Sequence, residues 1–190
     1  MRKFSAHFIL TGTGVLLNKG IVVTTDQGVI MEIIDTNGAF EERSSVEFYS
    51  GIITPGFVNA ALSPKINMLK PAHQKWTMIN AIDETITKDL FAVSQNELQK
   101  TNRICLGLKS AASNDQQALF KLIKDLCSNF PMISLAQVVT WATKNGAEAL
   151  SISDRYGSIE IGKQPGLNLL TGLDMGDMTI KSTSVLEKLF

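Results

Sequence analysis

Two apolar segments typical of buried β-strands constrain this chain most, because the stretch between them is short. The first covers residues 51–63 and contains Pro55 and Gly56, and the second covers residues 103–110. Only residues 64–102 separate them. Residues 64–102 therefore have room for at most one or two helices.

Both ends of the chain carry β-type patterns. Residues 4–10 alternate, and residues 20–25 and 29–34 flank a short hairpin loop at residues 26–28, where Gly28 allows a positive φ. Residues 46–49 run into a further apolar pair at 52–53, and residues 156–170 and 178–190 return to short strands. Neither end alone has enough strands to bury two sheet faces, which favours their pairing in one β domain.

The middle of the chain changes to helical spacing. Over residues 75–91, apolar side chains recur three and four positions apart, which predicts a helix with Trp76, Ile79, Ile82, Ile86 and Leu90 on one face. A second helix is predicted from an N-cap at Asn114 until Pro131. A third is predicted from a cap at Ser134 to the neighbourhood of Gly146.

Three stretches are similar to the amidohydrolase (metal-dependent hydrolase) superfamily. Residues 51–63 read GIITPGFVNAALS and resemble the family's first barrel strand, Pro-Gly-Phe-Val-Asn-x-His-x-His. Residues 103–110 read RICLGLKS and resemble its last strand, which ends Gly-Thr-Asp-Ser. Residues 141–150 and 157–166 are similar to the segment that follows the barrel in cytosine-deaminase-like and chlorohydrolase-like members.

The resemblance implies a fold of the α+β class. In the family, strands before and after the barrel form a composite β-sandwich, which implies a sandwich domain from residues 1–55 and 156–190. A complete (β/α)8 barrel needs about 250 residues, so residues 56–155 are expected to form a truncated barrel remnant with helical and βαβ parts. In a complete barrel the first and eighth strands are parallel neighbours, so the resemblance implies direct pairing of residues 52–60 with 103–108. Because crossovers between parallel strands are predominantly right-handed, the Trp76 to Leu90 helix is then expected on the former lumen side, over the old active site.

The resemblance also implies that a metal site has been lost. The family's two first-strand histidines bind metal, and its last-strand aspartate is a metal ligand and proton shuttle. Here Ala61, Ser63 and Lys109 hold those positions. Alanine has no donor atom and an ammonium group repels a cation, whereas catalytic zinc takes about three protein ligands. We therefore predict no metal, no cofactor and no catalytic residue of the family type.

Few other residues offer chemistry. Of the two histidines, His7 is interpreted as a surface or hydrogen-bonded structural residue and His73 as a solvent-facing loop residue. Cys105 and Cys127 fit no disulfide or metal pattern and are interpreted as buried hydrophobes. Lys109 would have a depressed pKa if it were buried and could then act as a nucleophile or base. The plainer interpretation is a solvated lysine at an open edge.

Composition limits the partners of the chain. Eighteen basic and eighteen acidic residues give a formal net charge of zero, so no electrostatic footprint for nucleic acid or an anionic membrane is evident. No apolar run reaches the ~18 residues of a transmembrane helix, and a cytoplasmic location is expected. Apolar strand edges left by an opened barrel predict a homodimer.

Three interpretations of function remain open. The first is a degenerate, non-catalytic amidohydrolase-like protein that acts as a binding or assembly module. The second is a hydrolase of carbon–nitrogen (non-peptide) bonds, with metal ligands from a partner chain or new chemistry near Lys109. The third is a deletion product whose retained property is folding. The sequence does not identify a small-molecule ligand.

Overall fold

The computed structural model describes residues 1–39, 45–62, 77–81, 104–108 and 115–190. Its strands are β1 Arg2–Leu10, β2 Leu16–Asn18, β3 Ile21–Thr24, β4 Ile30–Ile34, β5 Val46–Pro55, β6 Thr77–Ala81, β7 Ile104–Leu108, β8 Leu167–Thr171 and β9 Val185–Lys188. The helices are α1 Gln116–Asn129, α2 Leu135–Ala142 and α3 Lys144–Leu150, and a 3-10 turn covers Ala60–Leu62. Among these described helices, none has the length and apolar character needed to cross a bilayer.

Strands from both ends of the chain meet in one sheet. Its order is β4-β3-β1-β5-β8-β9, with β2 paired to β1. The β1–β5 pair is parallel, and β5 pairs antiparallel with β8 through Ile52 opposite Leu170 and Ile53 opposite Leu169. The predicted hairpin at residues 26–28 is confirmed, because β3 and β4 pair antiparallel around it. The β-rich ends therefore do combine, in a structure that is mixed α and β.

The sheet separates two apolar cores. Ile52 and Leu170 belong to the cluster that includes the buried faces of α1 and α2. Ile53 and Leu169, the next residues along the same strands, belong to a second cluster that contains Phe4. Successive side chains of a strand point to opposite faces, so each strand contributes to both cores. This explains why residues 51–55 are all buried.

A hydrogen bond supports the structural interpretation of His7. The register between β1 and β5 shifts at this residue, because β5 has one more residue than β1 between the pairs Ala6–Tyr49 and Phe8–Ile52. The Gly51 N–H donates to Nδ1 of His7 at 3.3 Å, and the imidazole packs edge-on against Phe48. His7 therefore stabilises the irregular part of the β1–β5 pair. His73 lies outside the described residues.

The helix predicted over residues 75–91 is wrong where the structure describes that segment. Thr77–Ala81 forms β6, which pairs parallel with β7 from Thr77 opposite Ile104 to Ala81 opposite Leu108. A short apolar run is ambiguous between helix and strand, and here pairing with β7 decides the outcome. Residues 82–90, and with them the proposed plug of the old active site, lie outside the described residues.

The predicted direct pairing of residues 52–60 with 103–108 is also not found. Among the described residues, the ladder partner of β7 is β6, and the β5 strand ends at Pro55. The two segments instead meet at Asn59, whose side-chain oxygen accepts a hydrogen bond from the Leu108 N–H. The reason is that β5 already pairs with β1 on one edge and with β8 on the other, which leaves no free edge of β5 for β7.

The helical caps are partly as predicted. Ser134 caps α2 and forms a capping box with Gln137, as its sequence position indicates. The N-cap of α1 is Asp115 and not Asn114, with the Asp115 carboxylate accepting from the N–H groups of Gln117 and Ala118. Gly146 does not end a helix, because α2 ends at Ala142 and Gly146 lies inside α3.

Candidate functional site

Asn59 organises the position at which the sequence predicts a lost metal site. Its side chain is fully buried. Its Oδ1 accepts from the Ala61 N–H at 3.1 Å and from the Leu108 N–H at 2.9 Å. One side-chain oxygen thus connects the segment after β5 with the carboxyl end of β7.

The residues described at this position do not fit a catalytic metal. Ala61 presents a methyl group, and the Asn59 oxygen already accepts two backbone hydrogen bonds. Across the described parts of the chain, no three His, Cys, Asp or Glu side chains lie together as a metal would require. Ser63 and Lys109 lie outside the described residues. Of the three positions at which the sequence predicts lost ligands, Ala61 is therefore the one within the described residues.

The neighbouring thiol does not supply replacement chemistry. Cys105 in β7 is fully buried and packs with Ala60 and Ala149. Burial raises the pKa of the Cys105 thiol to about 12, and burial likewise raises the pKa of Cys127 to about 11. A thiol is nucleophilic only as the thiolate. The predicted burial is confirmed for Cys105, whereas Cys127 is partly buried.

The Asn-Gly-Ala part of the family-like segment holds the remnant together. Asn145 Nδ2 donates to the Ile104 carbonyl at 2.7 Å, which fixes the start of β7. A Cβ at Gly146 would lie 2.9 Å from the Val58 carbonyl oxygen, so only glycine allows α3 to approach so closely. The Val58 N–H in turn donates to the Ala142 carbonyl at 2.7 Å. These residues have a structural role.

The Gly-Ser to Gly-Lys segment at 157–163 contains a serine beside a lysine, an arrangement that can be catalytic in other proteins. Lys163 Nζ lies 2.8 Å from Ser158 Oγ and 2.6 Å from Glu160 Oε2. Lys163, and secondly Ser158, lower the pKa of the Glu160 carboxyl. This trio stabilises a turn.

A cleft of about 570 Å³ lies on another part of the molecule, where the sheet meets the start of α1 and the loop after α3. It falls within the range of small-molecule sites, about 300–1,000 Å³. Its polar lining consists of Gln27, Gln116, Arg155, Tyr156, Gln164, Asn168 and Lys188. Its apolar lining includes Val58, Leu150, Ile152, Pro165 and Phe190.

One side of the cleft is a rigid amide network. Gln116 Oε1 accepts from the Phe57 N–H and from Asn168 Nδ2, both at 2.8 Å. Gln116 Nε2 donates to the Phe57 carbonyl, also at 2.8 Å. Gln116 therefore joins the chain after β5 to strand β8. Asn168 is buried and Gln116 is partly buried.

A second chain of contacts fixes the rim. Arg155 donates through Nε at 3.2 Å and through Nη2 at 2.5 Å to Oε1 of Gln164. Gln164 Nε2 donates to the Gln27 carbonyl. The Arg155 guanidinium also lies 5.3 Å from the ring centre of Tyr156. A neutral amide and an aromatic ring thus position this cation. No carboxylate of the described residues forms an ion pair with it.

Comparison with known proteins identifies the family. The sequence pattern that defines the amidohydrolase family matches residues 32–188. The chain therefore belongs to the amidohydrolase family. No protein among curated sequences matches it significantly.

Two solved structures have a similar fold. An N-acetyl-D-glucosamine-6-phosphate deacetylase from Mycobacterium smegmatis has a TM-score of 0.56 and 10% identity, with 100% of both chains covered. A Bifidobacterium longum protein described as a prolidase has a TM-score of 0.52 and 11% identity, covering 93% of this chain and 90% of that one. At such identities the likeness defines the fold alone.

Sequence reasoning predicted the family and missed the cleft. Its lining residues come from six separated parts of the chain, and none of them forms a local motif. Residues 157–166 were recognised as family-like, but the contact between Gln164 and Arg155 depends on how the loop folds back. The Asn59 bridge likewise joins residues 49 positions apart.

Proposed function

We propose that this chain is a degenerate, non-catalytic amidohydrolase that acts as a binding or assembly module. The observation that carries the proposal is the position of Ala61. Its backbone lies at the Asn59 bridge beside the end of β7, where the family presents a metal-binding histidine, yet its side chain has no donor atom. Hydrolysis in this family needs a metal to activate water.

Buried hydrogen bonds and close packing hold the chain around that position, which favours a retained role for the protein. Asn59 and Asn145 hold the two ends of β7, and Gly146 packs α3 against Val58. A chain that keeps these buried polar contacts keeps the architecture around the former site. Binding or assembly needs that architecture and does not need the metal.

The proposal includes a division into a composite β-sandwich domain, residues 1–55 and 156–190, and a barrel remnant, residues 56–155. The β5–β8 pair supports the first part, because it joins strands from the two chain ends. The proposal also includes a homodimer. The outermost strands in the sheet order are β4 and β9, which expose Met31 and Val185 by about half of their surfaces.

An activity assay in the presence of zinc tests the function directly. The purified chain is incubated with zinc and a panel of amide, amidine and aminotriazine substrates, next to its Lys109→Ala variant. We expect no turnover above buffer for either protein. Turnover that the Lys109→Ala change abolishes would support a hydrolase with new chemistry near Lys109 and would overturn the proposal.

A further inference from the structure

We propose that the 570 Å³ cleft beside α1 binds a small organic anion, a carboxylate or phosphate group attached to an apolar body. The inference rests on the proposed binding function and names the site and the class of ligand. The cleft lies where the sheet meets the loop after α3. It is distinct from the Asn59 bridge that marks the lost metal position.

The side chains that line the cleft carry a net positive charge. The cleft contains two cationic side chains, Arg155 and Lys188, and none of its described lining residues has an acidic side chain. Neither cation forms an ion pair with an acidic side chain of the described residues. The whole chain has no net charge, so this local excess of positive charge is a property of the cleft.

The position of Lys188 follows from the sheet register. Lys188 in β9 stands opposite Asn168 in β8, and Asn168 stands opposite Thr54 in β5. Residues directly opposite each other on neighbouring strands share a face of the sheet. Lys188 therefore projects on the same side as Asn168, which lines the cleft, while the adjacent Glu187 faces the other side.

Contacts with neighbouring residues orient the Arg155 side chain before an anion binds. Its Nε and Nη2 atoms are held by the Gln164 amide, and its guanidinium lies beside Tyr156. A guanidinium that is already fixed loses less side-chain entropy when a planar oxyanion binds. Neutral partners leave its charge available, and charge-assisted hydrogen bonds are the stronger kind.

The remaining lining suits the apolar body of the ligand. Ile152, Leu150, Pro165 and Phe190 contribute carbon surface, and Tyr156 contributes a ring. The Phe190 ring is fixed by close contact with Gly28, where a Cβ would lie 2.4 Å from the ring. The Gln116 to Asn168 network supplies fixed amide groups on the other side. Clefts with an apolar lining and a few convergent polar groups are typical of small-molecule sites.

Titration with simple probes tests the inference. Benzoate and phenyl phosphate supply the two candidate anions on one apolar body, and benzamide is their neutral counterpart. Binding to the full chain is followed by protein NMR shift changes. We expect one or both anions to bind at least about tenfold more tightly than benzamide, as one charge-assisted contact allows. The stronger anion identifies the ligand class.

Variants locate the site. Arg155→Gln and Lys188→Gln should each weaken anion binding by about tenfold, whereas Lys121→Gln, an exposed lysine on α1, should not. Added salt should weaken the binding further. Equal affinity for benzamide, no binding of either anion, or wild-type affinity in Arg155→Gln would overturn the inference. None of these results depends on whether the chain binds zinc, so failure here is separable from failure of the proposed function.

Discussion

The Asn59 side-chain oxygen lies 2.9 Å from the Leu108 backbone nitrogen, and this hydrogen bond connects the segment after β5 to the end of β7. The same oxygen accepts from the Ala61 N–H. In the amidohydrolase family to which the chain belongs, these two segments carry metal ligands. Here Ala61, in the first of these segments, has no side-chain donor atom.

Asn59→Ala tests the importance of that bridge for folding. The change leaves two backbone N–H groups without their acceptor, and a buried unsatisfied donor costs about 1–3 kcal/mol. We expect a loss of about 2–4 kcal/mol in the free energy of unfolding, measured by urea titration. Asn129→Ala is the matched control, because Asn129 is exposed and its side chain donates to the Asp125 carbonyl of the same helix. Equal losses in the two variants would contradict the role of Asn59.

Gly146→Ala tests the close approach of α3 to Val58. Replacing glycine by alanine inside a helix ordinarily stabilises it by about 1 kcal/mol. At this position the new Cβ would lie 2.9 Å from a backbone oxygen, so the helix must move. We expect destabilisation by about 1–3 kcal/mol, typical of overpacking, visible as a lower midpoint in thermal unfolding. A stabilised variant would show that α3 does not pack as described.

The family-like motifs show what sequence could and could not predict. Ser134 was identified as a cap from its neighbours alone, because the Ser134–Gln137 capping box is local. The β6 strand was missed, because its apolar spacing also fits a helix and its state is set by pairing with β7. The roles of Asn59 and Asn145 were missed for the same reason. Each forms a hydrogen bond to a residue more than forty positions away.

Glu47 makes the stability of the sheet depend on pH. Hydrogen bonds from Arg2, and secondly from Tyr49, lower the pKa of the Glu47 carboxyl from 4.5 to about 2. Because the folded pKa is the lower one, the stabilisation is present above pH 4.5 and is lost as the pH falls toward 2. The pair is 39% exposed on each side, so after solvent screening we expect about 1 kcal/mol.

Urea unfolding of the wild type and Glu47→Gln at several pH values measures this contribution. At pH 7 the wild type should be more stable, and the difference should shrink between pH 4.5 and 2 as Glu47 is protonated. Asp177→Asn, at an exposed turn, serves as a control for a general loss of charge. A difference between wild type and Glu47→Gln that stays constant with pH would contradict the Arg2–Glu47 assignment.

Zinc stoichiometry of the purified chain tests the central claim most directly. The protein is equilibrated with excess zinc, passed through a desalting column and analysed by elemental mass spectrometry, with a zinc-binding amidohydrolase as positive control. Because Ala61 supplies no ligand where the Asn59 bridge aligns the two segments, we predict that the chain retains far less than one equivalent of zinc. A content near one zinc ion per chain would contradict the account.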